Sequence, residues 1–157
     1  MTAPSHALRA DVLDAVLSRA PVLVFALDSH GICTYSDGAG LAGIGLSPGQ
    51  VVGLDMFEMY AADPTATRNM RRALDGEVFR SEYYQPDGPC FDTWWLPTRE
   101  EGRVTGAIGV SLDVTDRIRA QEQLELFRAF VEAAPQFIAI AGLDGRVRYV
   151  NPGGRAL

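Results

Sequence analysis

The sequence VFRSEYYQPDGPCFDTWWLPTREEGRVTGAIGVSLDV, at positions 78–114, decides the fold of this chain. It holds three runs rich in β-branched and aromatic residues, at 78–85, 91–96 and 104–114. The connections between these runs carry Pro, Gly and Asp, which are the residue types of tight turns. The stretch therefore predicts three consecutive antiparallel strands.

The chain before this stretch predicts a helix and a hairpin. Apolar residues recur at helical spacing over 5–20, and Pro21 ends the helix. Two apolar runs at 22–27 and 32–35 flank Asp28-Ser29-His30-Gly31, which has the composition of a hairpin turn. The apolar stripe of the amphipathic helix consists of Leu8, Val12, Ala15, Val16 and Ala20.

Short helical segments are predicted between the hairpin and the three strands. The Gly-rich stretch 36–48 and the stretch 56–60 have room for short helices only. A longer helix is predicted over 64–74, with Asp63 as its N-cap and Pro64 in its first turn. This order of elements predicts an α+β domain, with a five-stranded antiparallel sheet and short helices on one face.

Composition and charge narrow the classes of partner and compartment. The formal charge of −6, from 14 basic and 20 acidic residues, repels phosphate backbones and anionic lipids. We therefore expect no nucleic acid partner and no membrane contact by this fragment, whose longest apolar run is far below the about 20 residues of a membrane span. Cys33, on a strand, and Cys90, in a turn, indicate inert, reduced thiols in a cytoplasmic chain.

The beginning of the chain recurs near its end. One order of elements occurs twice along the chain, with the same separation between matching residues. It consists of a helix, an Ala-Pro break, an apolar strand, a turn with an acidic residue and Gly, and a second strand. The first copy contains Ala15, Ala20, Pro21, Gly31, Tyr35 and Gly40, and the second contains Ala129, Ala134, Pro135, Gly145, Tyr149 and Gly154. The second copy stops at Leu157, so we expect a tandem array of which only the first domain is complete.

Several motifs together resemble the PAS family over 12–117, with a second PAS start over 127–157. The motifs are Asp28-Ser29-His30-Gly31-Ile32, the stretch 40–53, Trp94-Trp95-Leu96-Pro97, the stretch 104–110, Asp113-Val114-Thr115 with Arg117, and Asn151-Pro152. The resemblance implies four parts. They are an N-terminal amphipathic helix (1–20), a PAS domain (21–114), a signalling or coiled-coil linker helix (115–134) and the truncated start of a second PAS domain (135–157).

The PAS resemblance implies a sensory or regulatory module of a bacterial signalling protein. Such a module binds a small ligand, or relays a signal, and acts on an output domain that this fragment lacks. That output domain could be a histidine kinase of a two-component system, a diguanylate cyclase or a phosphatase. A ligand-free dimerisation and signal-relay module is the alternative.

The transition from the last strand to the linker helix is the predicted signalling hinge. Thr115 can cap the helix, and Asp113 can pair with Arg117. Further along this helix, Leu124, Phe127 and Val131 keep the spacing of a helix that pairs along a seam, which favours a homodimer. Packing of the same residues on their own sheet is the alternative.

Two cofactors of the family do not suit these residues. The histidines are His6, in a predicted tail, and His30, in a turn, which argues against haem. The middle helices, within 55–73, hold no cysteine for covalent flavin chemistry. A small apolar ligand, such as a fatty acid or an aromatic metabolite, remains possible.

A ligand would lie among apolar residues of the sheet and the short helices. The candidates are Phe25, Leu41, Phe57, Met70, Leu74, Phe79, Trp95 and Ile108. The same residues could also simply fill a core. Trp94 and Trp95 alternate across a strand, and we expect Trp95 to point inward. No phosphate loop, metalloprotease motif or nucleophile elbow occurs, so we expect the fragment not to be an enzyme.

Overall fold

The computed structural model describes residues 6–84 and 88–155 of the chain. It divides into two compact units, Met1–Thr115 and Asp116–Leu157. Some predicted features lie outside the described residues. They are the helix start at Ser5, the strand end at Gln85, the turn residues Pro86 and Asp87, and the last two residues of the second repeat.

The first unit is an α+β domain with one sheet. Its elements are α1 His6–Arg19, β1 Val22–Asp28, β2 Cys33–Asp37, a 3₁₀ helix Ala39–Ile44, α2 Met56–Met59, α3 Pro64–Leu74, β3 Phe79–Tyr84, β4 Cys90–Glu100 and β5 Arg103–Asp113. The five strands are antiparallel and lie in the order β2-β1-β5-β4-β3. The predicted fold class is confirmed.

Strand β4 continues past its predicted end at Leu96 and includes Pro97. Within the described residues, the neighbouring strand β3 begins at Phe79, which pairs with Trp95, so it does not reach Pro97. Pro97 therefore has no partner in β3, and its missing N–H costs no hydrogen bond between β3 and β4. The β4-β5 hairpin closes at Glu101 and Gly102, whose φ angles are 48° and 83°, so the turn is tighter than predicted.

Helix α3 has the bounds that the sequence predicts. The Asp63 carboxylate accepts hydrogen bonds from the N–H groups of Thr65 and Ala66, at 2.9 and 3.0 Å. Pro64 occupies the first turn, where no intrahelical N–H is needed. An N-cap of this type stabilises a helix by about 1 kcal/mol. Asp63 therefore fixes where α3 begins, next to the core.

The second unit repeats the order of helix and hairpin. Its elements are α4 Thr115–Ala133, β6 Ala139–Ala141, β7 Val147–Val150 and α5 Pro152–Arg155. The register of β6 shifts between Ile140 and Ala141, as that of β1 shifts between Ala26 and Leu27. Gly145 has a positive φ in its turn, as Gly31 has in the first hairpin. The sequence repeat thus extends to details of backbone geometry.

Both long helices expose apolar side chains. In α1 the buried residue is Leu17, whereas most of the predicted stripe, including Leu8, Val12 and Val16, is exposed. In α4, Leu124 and Phe127 are exposed and Val131 is half-buried. No helix within 6–84 and 88–155 is long and apolar enough to cross a membrane.

Candidate functional site

A cavity of about 640 Å³ lies in the core of the first unit. One side is the face of the sheet, and the other is formed by the 3₁₀ helix, α2, α3 and the loop that follows the 3₁₀ helix. Most of its surface is apolar, with Leu23, Leu41, Met56 and Met70 among the buried residues that border it. Its volume is within the range of small-molecule sites.

The aromatic part of the cavity centres on Trp95, whose side chain is 7% exposed. The Trp95 ring meets Phe25 edge to face, with centroids 5.3 Å apart, and stacks on Phe79 at 5.9 Å. Trp94 lies on the opposite face of the sheet, where it is exposed and the Arg80 guanidinium lies 4.7 Å from its ring. Trp95 thus points inward, as strand alternation predicted.

Next to the aromatic side chains, three hydroxyl groups form a row across the sheet. Ser81 of β3 is paired with Thr93 of β4, which is paired with Ser111 of β5. All three side chains border the cavity. Paired residues of neighbouring strands point to the same face at strand spacings of about 4.8 Å. We call these three residues the hydroxyl row.

The hydroxyl row takes part in two sets of hydrogen bonds. The Ser81 hydroxyl accepts from the Trp95 indole N–H at 3.0 Å and from the Asn69 amide at 3.2 Å. The hydroxyls of Thr93 and Ser111 are 2.7 Å apart and share one hydrogen bond. Asn69, from α3, is 4% exposed and also borders the cavity. The polar part of the cavity is therefore held by α3, β3, β4 and β5 together.

Two ionisable groups of the wall are kept neutral at neutral pH. Burial raises the pKa of the Cys33 thiol above its ordinary value. Burial, and then the charge of Asp63, raise the pKa of the Tyr60 phenol. Since both groups are neutral in their protonated forms, neither adds charge to the cavity.

The structure brings four of the eight predicted ligand residues into the cavity wall, namely Phe25, Leu41, Met70 and Trp95. Phe79 stacks on Trp95 outside the wall, under the Arg72 guanidinium at 3.8 Å. Phe57 has Arg71 5.7 Å from its ring and, with Leu74, packs against the core from outside the wall. A contact of any of the eight with a ligand stays a prediction.

Ile108 was predicted to line the cavity, but the register of β5 places it on the opposite face of the sheet. In β5 the buried residues Ala107, Gly109 and Ser111 share one face, and Ser111 borders the cavity, whereas Ile108 lies on the opposite face. Successive side chains of a strand point to opposite faces, so a shift of one residue exchanges them. Ser81, Thr93 and Ser111 were not predicted as cavity residues, because the candidates were chosen for their apolar side chains and Ile was therefore preferred to Ser.

The predicted hinge residues Asp113 and Thr115 join three parts of the first unit. Asp113 donates its N–H to the carbonyl of Pro21 at 2.7 Å. Its carboxylate accepts from the N–H and the hydroxyl of Thr115, and that hydroxyl accepts from the N–H of Cys90. Asp113 therefore caps the start of α4, and the hydroxyl of Thr115, the cap predicted from the sequence, instead accepts from the strand residue Cys90. Cys90, expected in a turn, is the first residue of β4.

The carboxylate of Asp113 also lies beside the cavity wall. A Cβ built on Gly43, which borders the cavity from the 3₁₀ helix, would lie 3.4 Å from the Asp113 Oδ2 atom. The 3₁₀ helix therefore lies close to the residue that caps α4. The pairing of Arg117 with Asp113 stays a prediction.

Asp63 makes the stability of the first unit depend on pH, with a loss of stability at low pH. The hydroxyl of Tyr83 donates to its carboxylate and, with the N–H groups of α3, holds the pKa of Asp63 below its ordinary value of 3.8. Such a carboxylate stabilises the fold above the unfolded-state pKa, and the contribution is lost as pH falls through the folded-state pKa. Asp63→Asn keeps a capping oxygen but removes its charge, and we expect it to lower stability by about 1 kcal/mol at pH 7. Urea unfolding should show this gap closing below about pH 4, and a constant gap would contradict the assignment.

The fold and cavity define an α+β domain with a pocket between its sheet and its short helices, and this pocket is partly open to solvent. Comparison of the sequence with known families agrees with this class. A family profile described as the PAS fold matches residues 17–119. The chain belongs to the PAS family, and the predicted resemblance is confirmed. None of the curated proteins matches the chain.

Several solved structures of sensory and signalling proteins are also similar to the chain. The sensor region of a sensor histidine kinase is 25% identical, with a TM-score of 0.52 over 62% of this chain and 40% of that one. An RNA-binding light-oxygen-voltage receptor is 25% identical, with a TM-score of 0.50 over 83% and 41%. The VqmA dimer of Vibrio cholerae, at 19% identity and a TM-score of 0.53 over 73% and 53%, shares the fold. The chain thus spans about two fifths of the first two structures and is related to sensory and signalling modules.

Proposed function

We propose that this chain is a sensory PAS module that binds a small, mainly apolar ligand in its cavity. Occupancy of the cavity then changes the start of α4, which acts on an output domain. That output domain is a histidine kinase or another signalling enzyme, and the fragment itself has no catalytic role. The observation that carries the proposal is the pocket of about 640 Å³ between the sheet and the short helices of the first unit, which is partly open to solvent. A closed relay module would fill this space with side chains.

The cavity can be tested with naphthalene as an apolar probe and with the methyl groups of Met56, Met59 and Met70, which border it. We expect naphthalene to shift the NMR signals of these three methyl groups in a saturable manner. Ala66→Phe places a ring in the cavity from α3 and should abolish the shifts. Ala62→Phe is the matched control, because Ala62 is exposed and lies just before α3. Absence of shifts in the wild-type chain would favour the relay module.

The contacts of Asp113 support the route from the cavity to α4. Asp113 touches Thr115 at the start of this helix and lies beside Gly43 of the cavity wall. A ligand acts through such a route only if it prefers one of two arrangements of the helix.

We expect Asp113→Ala and Thr115→Ala to uncouple α4 from the cavity while each costs about 1 kcal/mol of stability. In the wild-type chain, naphthalene should change amide hydrogen exchange in the first turn of α4. In both variants that change should be lost, although the methionine methyl groups still respond. An unchanged exchange response would remove Asp113 and Thr115 from the route.

We also infer that the chain acts as a homodimer in the cytoplasm. The exposed Leu124 and Phe127, with Val131, support pairing along α4, and the exposed stripe of α1 offers a second apolar surface. The free, buried thiols of Cys33 and Cys90 support the cytoplasmic part of this inference. The repeated hairpin geometry supports the proposal that 135–157 begin a second PAS domain, after a linker helix over 115–134.

A further inference from the structure

We propose that the ligand is an uncharged aromatic molecule with a carbonyl or amide group, which the hydroxyl row and Asn69 recognise. This inference rests on the proposed function, because it names the ligand class of the same cavity. It adds two properties of the ligand: the ligand carries no charge, and its polar group lies against the hydroxyl row.

The hydroxyl row has hydrogen-bonding capacity that the protein leaves unused. Ser81 accepts two hydrogen bonds, and its own hydroxyl hydrogen has no acceptor within the described residues. Thr93 and Ser111 share one bond, so one of their two hydroxyl hydrogens is likewise available. The Asn69 carbonyl oxygen has no donor in the same part of the chain. The row and Asn69 thus offer two donors and one acceptor to a mainly apolar space, whose wall also includes the hydroxyl residues Ser36 and Tyr60.

Every buried side-chain nitrogen and oxygen of the described residues already has a hydrogen-bond partner, so the spare capacity of the row and of Asn69 is open to water or to a ligand in the cavity. A carbonyl group that accepts from the hydroxyl row, or an amide that also donates to Asn69, would satisfy these groups. The position of the row favours a flat molecule, since Trp95 and Phe25 stand on one side of it and Phe91 and Tyr83 on the other. An aromatic ring in this position can contact aromatic side chains on both sides.

The charge of the wall argues against an ionised ligand. The described residues that border the cavity include no Asp, Glu, Lys, Arg or His. Two carboxylates lie beside the wall. That of Asp63 accepts from the Tyr83 hydroxyl, that of Asp113 lies beside Gly43, and both would repel an anion. A buried carboxylate without a cation is strongly disfavoured. A fatty acid therefore fits less well than a neutral amide or ketone.

The inference can be tested with three probes of one shape, namely 2-naphthamide, 2-naphthoate and naphthalene. Their affinities are measured by the shifts of the Met56, Met59 and Met70 methyl signals. We expect 2-naphthamide to bind at least about ten-fold more tightly than the other two, the ratio given by one or two net hydrogen bonds. The double substitution Thr93→Val with Ser111→Ala removes both hydroxyls of the pair, so neither is left without its partner. It should lower 2-naphthamide affinity about ten-fold without weakening naphthalene binding, because the substitutions make the wall more apolar.

A matched control exists between the same two strands. Thr98 of β4 and Thr105 of β5 have hydroxyls 3.4 Å apart and do not border the cavity. Thr98→Val with Thr105→Val should leave the affinity of all three probes unchanged. Equal affinities of the probes, or tighter binding of 2-naphthoate, would overturn the inference and leave the cavity proposal standing. Failure of all three probes to bind the wild-type chain would overturn both.

Discussion

Trp95→Ala is expected to destabilise the first unit by about 3–5 kcal/mol, the largest loss among the substitutions considered. The Trp95 ring is buried, meets Phe25 and Phe79, and donates its indole N–H to Ser81. Its removal enlarges a core that already contains a cavity, and the neighbouring strands can close the space only in part. Urea unfolding followed by circular dichroism would measure the loss. Trp95→Phe, which retains one ring, should lose less and covers the case in which the alanine variant does not fold.

Trp94→Ala is the matched control for Trp95→Ala. Trp94 is the adjacent residue of the same strand, but it is 39% exposed and its main partner is the Arg80 guanidinium. Its removal should cost about 1–2 kcal/mol. Equal losses for the two tryptophans would contradict the assignment of Trp95 to the core.

Asn151→Ala is expected to open the hairpin of the second unit. The Asn151 side chain is fully buried and accepts from the N–H of Ile138. It also donates to the carbonyls of Ala134 and Gln136, each at 2.9 Å, and so joins the end of α4 to the hairpin. Loss of these bonds should cost about 1–3 kcal/mol, because several backbone groups lose their partner together. Amide exchange of Gly142 and Asn151 should accelerate by about ten- to a hundred-fold.

Asp144→Ala is the control for Asn151→Ala. Asp144 lies in the turn of the same hairpin, and its carboxylate accepts from the N–H of Arg146 at the exposed surface. We expect its removal to change exchange at Gly142 and Asn151 by a few-fold at most. If Asn151→Ala and Asp144→Ala had the same effect, the buried amide would not hold the hairpin.

The fold could be predicted from the sequence because several independent signals agree. Strand alternation over 78–114, the turn at Gly31 and the cap at Asp63 each favour a local structure that the domain uses. The end of β4 was missed, since the tolerance of Pro97 depends on where the neighbouring strand begins. That position is a tertiary property, which a single strand sequence does not contain.

The site could be predicted in part for the same reason. Apolar side chains such as Phe25 and Trp95 indicate a buried face, but which of them border a space depends on the separation of sheet and helices. Ile108 and Ser111 show the limit most clearly, because strand register decides which of them faces inward. The hydroxyl row could not be predicted, because its members are far apart in sequence and meet only when three strands pair in one register.

The central claim is that the core of the first unit holds a small ligand. Native mass spectrometry of the freshly purified chain, compared with its denatured mass and with the Ala66→Phe variant, tests this claim most directly. We predict an additional mass on the native wild-type chain, lost on denaturation and absent from the filled variant. A bare polypeptide mass for both proteins would contradict the claim and favour a relay module without a ligand.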